Sequence, residues 1–145
     1  MIENLKESNV KQCSVDLSLG EIFKIDANEV IDYSKLNVKI KSLKLPYIIK
    51  PGEYILGKTF EKINQKHTKY GIFIIRKSRT FRLGLSIESG LASPYYEGEI
   101  IFGIKNISEN PIKIRKGDSL IQLVFFDIKS DIVPLNFTYQ HGRIV

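Results

Sequence analysis

The chain has 145 residues, with 22 Lys and Arg against 16 Asp and Glu, giving a net charge of +6 and a pI near 9.3. That length suits one domain with a real core, and 43% hydrophobic and 26% charged residues are ordinary for a soluble globular protein. No apolar run approaches the ~20 residues that span a bilayer, the opening MIENLKESNVKQ is too polar for a signal peptide, and one cysteine (Cys13) with two distant histidines (His67, His141) excludes an internal disulfide and a Cys/His zinc site. A cytoplasmic setting is expected, with no membrane partner.

In chain order, short stretches rich in Ile, Val, Phe and Tyr read as strands. They are Ser14–Leu19, Glu21–Ile25, Val38–Leu45, Tyr54–Thr59, Gly71–Ile75, Leu83–Glu88, Glu99–Ile107, Ile112–Arg115 and Leu120–Ile128. Pro51-Gly52, Ser89-Gly90, Gly98, Asn110-Pro111 and Lys116-Gly117-Asp118 separate them. Many strands at short spacing predict an all-β sandwich or distorted barrel, not βαβ units. Helical periodicity is weak, and only a turn or two near Arg76 or Asn28 is expected. Residues 1–135 form the predicted β domain, and 136–145 a polar and aromatic tail. Cys13, which has no neighbouring histidine, is expected to pack.

One segment departs from the scattered lysines of a solvated surface. Arg76-Lys77-Ser78-Arg79-Thr80-Phe81-Arg82 places four cations and no acid in seven residues. Their mutual repulsion calls for an anionic neutraliser, which a nucleotide's phosphates or a nucleic-acid backbone would supply. An exposed basic turn, or contact with acids of another subunit, is the plainer alternative. Ser78 can donate a hydroxyl to a phosphate oxygen, and Arg82 offers a two-pronged guanidinium. A helix starting near Lys77 would add free N–H groups. There is no GxGxxG, GxxxxGK[ST] or GxSxG pattern.

Five ordered segments resemble the dUTPase/dCTP-deaminase superfamily, closest to its deaminase branch. Ser14-Val15-Asp16-Leu17-Ser18-Leu19-Gly20 resembles "S-x-D-L-x-L-G", and Pro51 to Glu61 resembles "PGEF-L-x-x-T-x-E". Lys77 to Leu85 is similar to "RSSLARLGL", and Gly90 to Ile100 to "G-x-I-D-P-G-[YF]-x-G-E-I". Asn106, Pro111-Ile112, Gly117 and Ile121-Gln122-Leu123 match the closing pattern.

The resemblance implies a dUTPase-like jelly-roll assembled as a homotrimer with nucleotide sites at subunit boundaries. It implies Lys77, Ser78, Arg79 and Arg82 as phosphate ligands. Tyr96 would be the ring packed on deoxyribose, or else a strand-edge tyrosine. Gln122 would lie near the phosphates, or else point off the sheet. Tyr139 and Gln140 faintly resemble the family's closing arm. Mg²⁺ would arrive on the nucleotide's phosphates, and no resident metal site is expected.

Where the resemblance places the two catalytic carboxylates, this chain has Ser93 and Gly103. Serine is a very poor base near neutral pH, and glycine offers nothing. Glu97 belongs to a turn, and Glu99 lies about 13 Å along the strand from position 103. The expectation is a non-catalytic paralogue that binds a dUTP- or dCTP-type nucleotide. The alternatives are an active dUTP diphosphatase or dCTP deaminase using a relocated acid, and a nucleic-acid binder resting on charge alone.

Overall fold

In a computed structural model, the structure describes residues 1–26, 28–35, 38–133 and 139–145. The strands are β1 (Ile2–Glu3), β2 (Val15–Leu17), β3 (Leu19–Ile25), β4 (Ile40–Leu43), β5 (Tyr47–Ile49), β6 (Tyr54–Asn64) and β7 (Tyr70–Arg76). A five-residue helix, α1 (Ser78–Arg82), precedes β8 (Leu85–Glu88), β9 (Leu91–Ala92), β10 (Glu97–Asn106), β11 (Ile112–Ile114) and β12 (Ile121–Asp127). The expected all-β fold is present. Its sheets stay open rather than closing into a barrel: one runs β4-β3-β6-β10-β8 with β1 also on β6, a second runs β2-β12-β7-β9, and β11 pairs with β5. Every described pairing between strands is antiparallel.

Branched aliphatics alternate inward along these strands and meet in one core, including Leu17, Ile22, Ile55, Ile72, Ile104 and Leu123, each at most 1% exposed. The central strand is β6, flanked by β3 and β10. The strand expected over Tyr54–Thr59 is β6, which runs to Asn64. It continues five residues further because Glu61 turns inward. The Glu61 carboxylate is buried and accepts hydrogen bonds from the Ser18 N–H and Ser18 Oγ, both at 2.8 Å. The same contact splits the predicted strand Ser14–Leu19, since the Ser18 N–H points to Glu61 rather than along the ladder.

A bulge accompanies this buried acid. Glu99 pairs with Lys62 and Ile101 with Lys58, so Thr59–Glu61 on β6 faces Ile100 alone on β10. Buried Thr59 fills the gap: its hydroxyl accepts from the Ile100 N–H at 2.9 Å and donates to the Glu61 carbonyl at 2.8 Å.

Other boundaries moved for local reasons. Strand Val38–Leu45 shortens to β4, and β5 follows Pro46, which has no N–H for a ladder. Leu83 caps α1, so that strand begins at Leu85. β1 and β9, at two residues each, are too short to show periodicity. The helix expected near Arg76 is α1. Asn28 and Glu29 form a bend, and Ala27, Leu36 and Asn37 lie outside the described residues. Of the predicted tail, residues 136–138 likewise lie outside them, and Gln140–Gly142 form a 3-10 turn.

Replacing Thr59 with Val keeps its shape and strands the Ile100 N–H. We expect urea denaturation of this variant to show a loss of about 1–3 kcal/mol; an unchanged midpoint would mean that the bulge does not need the hydroxyl.

Candidate functional site

The cationic segment lies where β7 ends, beside the start of β12 and against β2. Its helix is fixed from within: buried Thr80 donates its hydroxyl to the Leu120 carbonyl at 2.8 Å, and the Lys77 N–H reaches the same oxygen at 3.0 Å. Lys77 is not free. Its ammonium donates at 2.6 Å to the carboxylate of Asp16, which is buried on β2. Ser78, Arg79 and Arg82 are exposed. Among the described residues Arg76, Arg79 and Arg82 take part in no ion pair. Arg76 and Arg82 instead place their guanidinium carbons 5.5 and 5.8 Å from the ring centre of half-exposed Phe81.

Gln122 pairs across the ladder with Asp16, so both side chains lie on one face. Its amide accepts from Ser14 Oγ at 2.9 Å and donates weakly to the Arg76 carbonyl at 3.4 Å. Asp16, Ser14 and Gln122 thus back the cationic segment with a polar layer. Asp16 and Ser14 stood in the recognised N-terminal motif, but nothing in their spacing announced the Lys77 contact.

The hairpin from Gly90 to Gly98 builds a separate feature. A cavity of about 430 Å³ is lined there by Leu91, Ala92, Ser93, Tyr96 and Ile100, with Tyr139 and Arg143 of the C-terminal segment at its edge. None of Lys77, Ser78, Arg79, Arg82 or Gln122 lines it. Within one chain, the cationic segment and the hairpin do not share this cavity.

Tyr96 donates its hydroxyl to the Glu99 carbonyl at 2.6 Å, leaving its ring as cavity wall. Burial pushes the Tyr96 phenol up to about 12; a backbone hydrogen bond from Gly142 opposes this and the Glu99 charge adds to it. Gln65, fully buried, was missed from the sequence because it sits in the polar run Asn64-Gln65-Lys66. Its amide donates to the Tyr70 and Ser93 carbonyls at 3.1 and 3.3 Å and accepts from the Tyr70 N–H at 2.7 Å. It ties the turn carrying Ser93 to the start of β7.

The tail meets the same hairpin through Gln140. Its side chain accepts from the Glu97 N–H at 3.0 Å and donates to the Tyr95 carbonyl at 3.1 Å. Gly98, at φ +131°, passes so close to His141 and Gly142 that a side chain there would collide with backbone. Tyr139 stands half-exposed at the cavity edge.

Gly103 is buried and the Tyr54 phenol lies over it. A Cβ at 103 would sit 2.7 Å from Tyr54 Cε2 and 2.8 Å from Cζ, with the hydroxyl closer still. Directly opposite Gly103 on β8 is Glu88. Burial, and then the charge of Glu88, push the Tyr54 phenol above its usual range. Glu97 and Glu99 do not line the hairpin cavity. They border a hollow of about 240 Å³ with Lys62 and His141, and Lys62 holds Glu99 at 3.6 Å. Among the described residues, no three His, Cys, Asp or Glu side chains gather to hold a metal.

Comparison with known proteins bears on this arrangement. The family model described as dCTP deaminase-like matches residues 1–128. A dUMP-forming dCTP deaminase of Hydrogenobaculum sp. (strain Y04AAS1) is 34% identical over 137 residues, covering 92% of this chain and 76% of that protein. A deoxyuridine 5'-triphosphate nucleotidohydrolase of Methanocaldococcus jannaschii is 30% identical over 142 residues, covering 88% of this chain and 84% of the relative. Among solved structures, the Agrobacterium tumefaciens 2'-deoxycytidine 5'-triphosphate deaminase superposes with a TM-score of 0.65 at 21% identity, over 86% of this chain and 43% of that one. The native EIAV dUTPase gives 0.51 at 21% identity, over 84% of this chain and 98% of that one. These likenesses support the fold.

Gln65→Met, similar in volume, removes three hydrogen bonds and takes the side-chain acceptor from the part-buried Tyr70 N–H. We expect it to cost about 2–4 kcal/mol in urea denaturation and to speed hydrogen exchange at Tyr70. Wild-type exchange at that amide would contradict the role given to Gln65.

Proposed function

The chain belongs to the dCTP deaminase-like family, and from that premise we propose that it binds a dUTP- or dCTP-type deoxyribonucleotide without the family's usual carboxylates. The observation that carries this reading is the pairing of two halves of a nucleotide site with an emptied catalytic position. Ser78, Arg79 and Arg82 offer a hydroxyl and two guanidinium groups to phosphate oxygens. The cavity walled by Ala92, Ser93 and Tyr96 is of a size for a nucleoside. At position 103, however, a glycine lies beneath a tyrosine ring. Lys77 serves by positioning: its pair with Asp16 fixes the start of the segment, and Ser78 and the arginines do the contacting.

Because the two halves do not share a cavity within one chain, we infer that they meet between copies. The homotrimer implied by resemblance supplies such boundaries. The outer face of the six-stranded sheet, with half-buried Phe23, Leu56 and Ile101, is suited to being covered. Tyr139 and Gln140 would close the cavity edge over the ligand, with Gln140 anchored to the Tyr95–Glu97 backbone. The cationic segment offers hydroxyl and guanidinium donors rather than a carboxylate set, which suits Mg²⁺ held by the phosphates; when bound there, the ion neutralises phosphate charge.

Relatives support the ligand class. Solved structures of Staphylococcus bacteriophage 80alpha dUTPase carry dUpNHpp, and one phage phi11 dUTPase structure holds a structural Mg(II). No helix among the described residues is long and apolar enough to cross a membrane. We place the protein's work in the cytoplasm, where its nucleotide would be found.

Titration with dUTP and dCTP in Mg²⁺ tests the reading directly. We expect saturable binding with less than one turnover per chain, weakened roughly tenfold by Arg82→Ala, in line with loss of one charged hydrogen-bonding group. Release of dUMP, pyrophosphate or ammonia at many turnovers would establish the active alternative. Absence of binding to either nucleotide would overturn the proposal.

A further inference from the structure

The nucleotide reading leaves a second group of cations without a role. β5 and β11 form a two-stranded ribbon whose inner residues, Ile49 and Ile114, are buried. Alternation turns the directly paired Ile48 and Lys113 outward, and Lys50 and Arg115, one residue beyond the strand ends, are exposed with them. Lys116 follows in an exposed turn. Among the described residues none of these four cations takes part in an ion pair. The acids near them are few. Glu109 is exposed, half-buried Asp118 accepts the Arg115 N–H at 2.8 Å, and Glu53, which accepts the Lys50 N–H, is already paired with Lys24.

The ribbon is joined to the cationic segment. Asn106 donates its side-chain amide to the Ile49 and Asn110 carbonyls at 2.9 and 2.7 Å. The next residue, Ile107, donates its N–H to the Gly84 carbonyl, just past α1, at 2.9 Å. On the other side the turn from Arg115 to Asp118 leads to Leu120, whose carbonyl holds Lys77 and Thr80. The two groups of cations therefore belong to one surface. Exposed apolar side chains stand among them: Ile48 at 54%, Phe81 at 49% and Ile107 at 67%. Arg76 and Arg82 flank the Phe81 ring.

Such a surface suits a ligand that repeats its negative charge and brings apolar faces between the charges. Single-stranded nucleic acid does both: its phosphates take cations along a track, and its unpaired bases rest on exposed aliphatic and aromatic side chains. A duplex keeps its base faces stacked inside, so Ile48, Phe81 and Ile107 would gain nothing from it. An anionic membrane would match the charges, but apolar groups separated by cations lack the continuous apolar face that enters the acyl boundary.

We propose that the surface running from α1 over Ile107 to the β5–β11 ribbon binds single-stranded nucleic acid without regard to sequence, with Lys50, Lys113, Arg115 and Lys116 as phosphate ligands. This activity goes beyond the nucleotide reading and does not depend on it.

The test uses the full chain and fluorescence anisotropy with a dye-bearing oligothymidine of roughly 20 nucleotides, longer than one site of this kind. Its 5′ end is a hydroxyl, so no terminal phosphate imitates a nucleotide. We expect log affinity to fall with log salt by about 0.7 per phosphate contact. Removing two contacts in the double variant Lys113→Gln, Arg115→Gln should make that slope shallower by about 1.4 and weaken binding more than about tenfold at about 50 mM salt, with dUTP and dCTP titrations unchanged. Should that variant melt early, Lys116→Gln alone carries the same test with about half the change in slope. The control Lys66→Gln, Lys69→Gln removes equal charge from the exposed turn before β7, at the end of that strand away from α1. It should alter oligothymidine binding less than about twofold. Thermal melting within a few degrees of wild type confirms that each variant is folded. No binding by wild type, equal losses in the two double variants, or duplex DNA bound as tightly as the single strand overturns the proposal. So does binding of phosphatidylserine vesicles that the ribbon variant weakens while its oligothymidine binding is unchanged. Failure to bind dUTP and dCTP, with the oligothymidine bound as expected, overturns the nucleotide reading alone.

Discussion

A buried carboxylate in the middle of the central strand sets the geometry of this molecule. Glu61 sits in the core with its carboxyl oxygens accepting from the Ser18 N–H and hydroxyl, and removing those acceptors would leave both donors without their partner. Beside it the β6–β10 register shifts, with Thr59–Glu61 set against Ile100 alone, and Thr59 closes the gap by bonding the Ile100 N–H. The bulge fixes where β10 crosses β6. It therefore fixes which side chains from Tyr54 to Lys58 stand beside Gly103, and where the hairpin leading into β10 opens its cavity. Fold and candidate site share this junction.

Electrostatics divides the site into two kinds of positive charge. The Lys77 charge is spent internally on buried Asp16, whose carboxylate would be left without its cation partner if Lys77 were lost. The charges of Arg79 and Arg82 are not spent within the described chain, and Arg76 and Arg82 rest on the face of Phe81. A surface that stabilises one cation tightly and leaves its neighbours open has a built scaffold and an unfilled function. In the proposed nucleotide site the apolar cavity at the Ser93 hairpin would supply shape where the cationic segment would supply charge.

Much of this was legible in the residues. Alternating Ile and Val with Gly and Pro breaks marked most strands, and the run from Arg76 to Arg82 marked the anion-seeking surface and its short helix. What was hidden depended on pairs far apart in sequence. Glu61 reads as a strand end until Ser18 is placed beside it. Gln65 reads as loop until its amide is seen bridging Tyr70 and Ser93. Gly103 reads as simple loss, because no local pattern says that Tyr54 covers it or that Glu88 faces it across the ladder. Periodicity records which face a residue takes, whereas register and bulges decide whom it meets.

The claim that the two half-sites meet between copies is tested most directly by subunit mixing. Arg82→Ala spoils the cationic half, and Ser93→Trp fills the cavity. Each variant alone should bind nucleotide poorly. After the two are unfolded and refolded together in equal amounts, random assembly of a cyclic trimer should recover about one quarter of wild-type sites. Recovery near that level supports a site shared between copies. No recovery from mixed, folded trimers would contradict it and return both halves to a single chain.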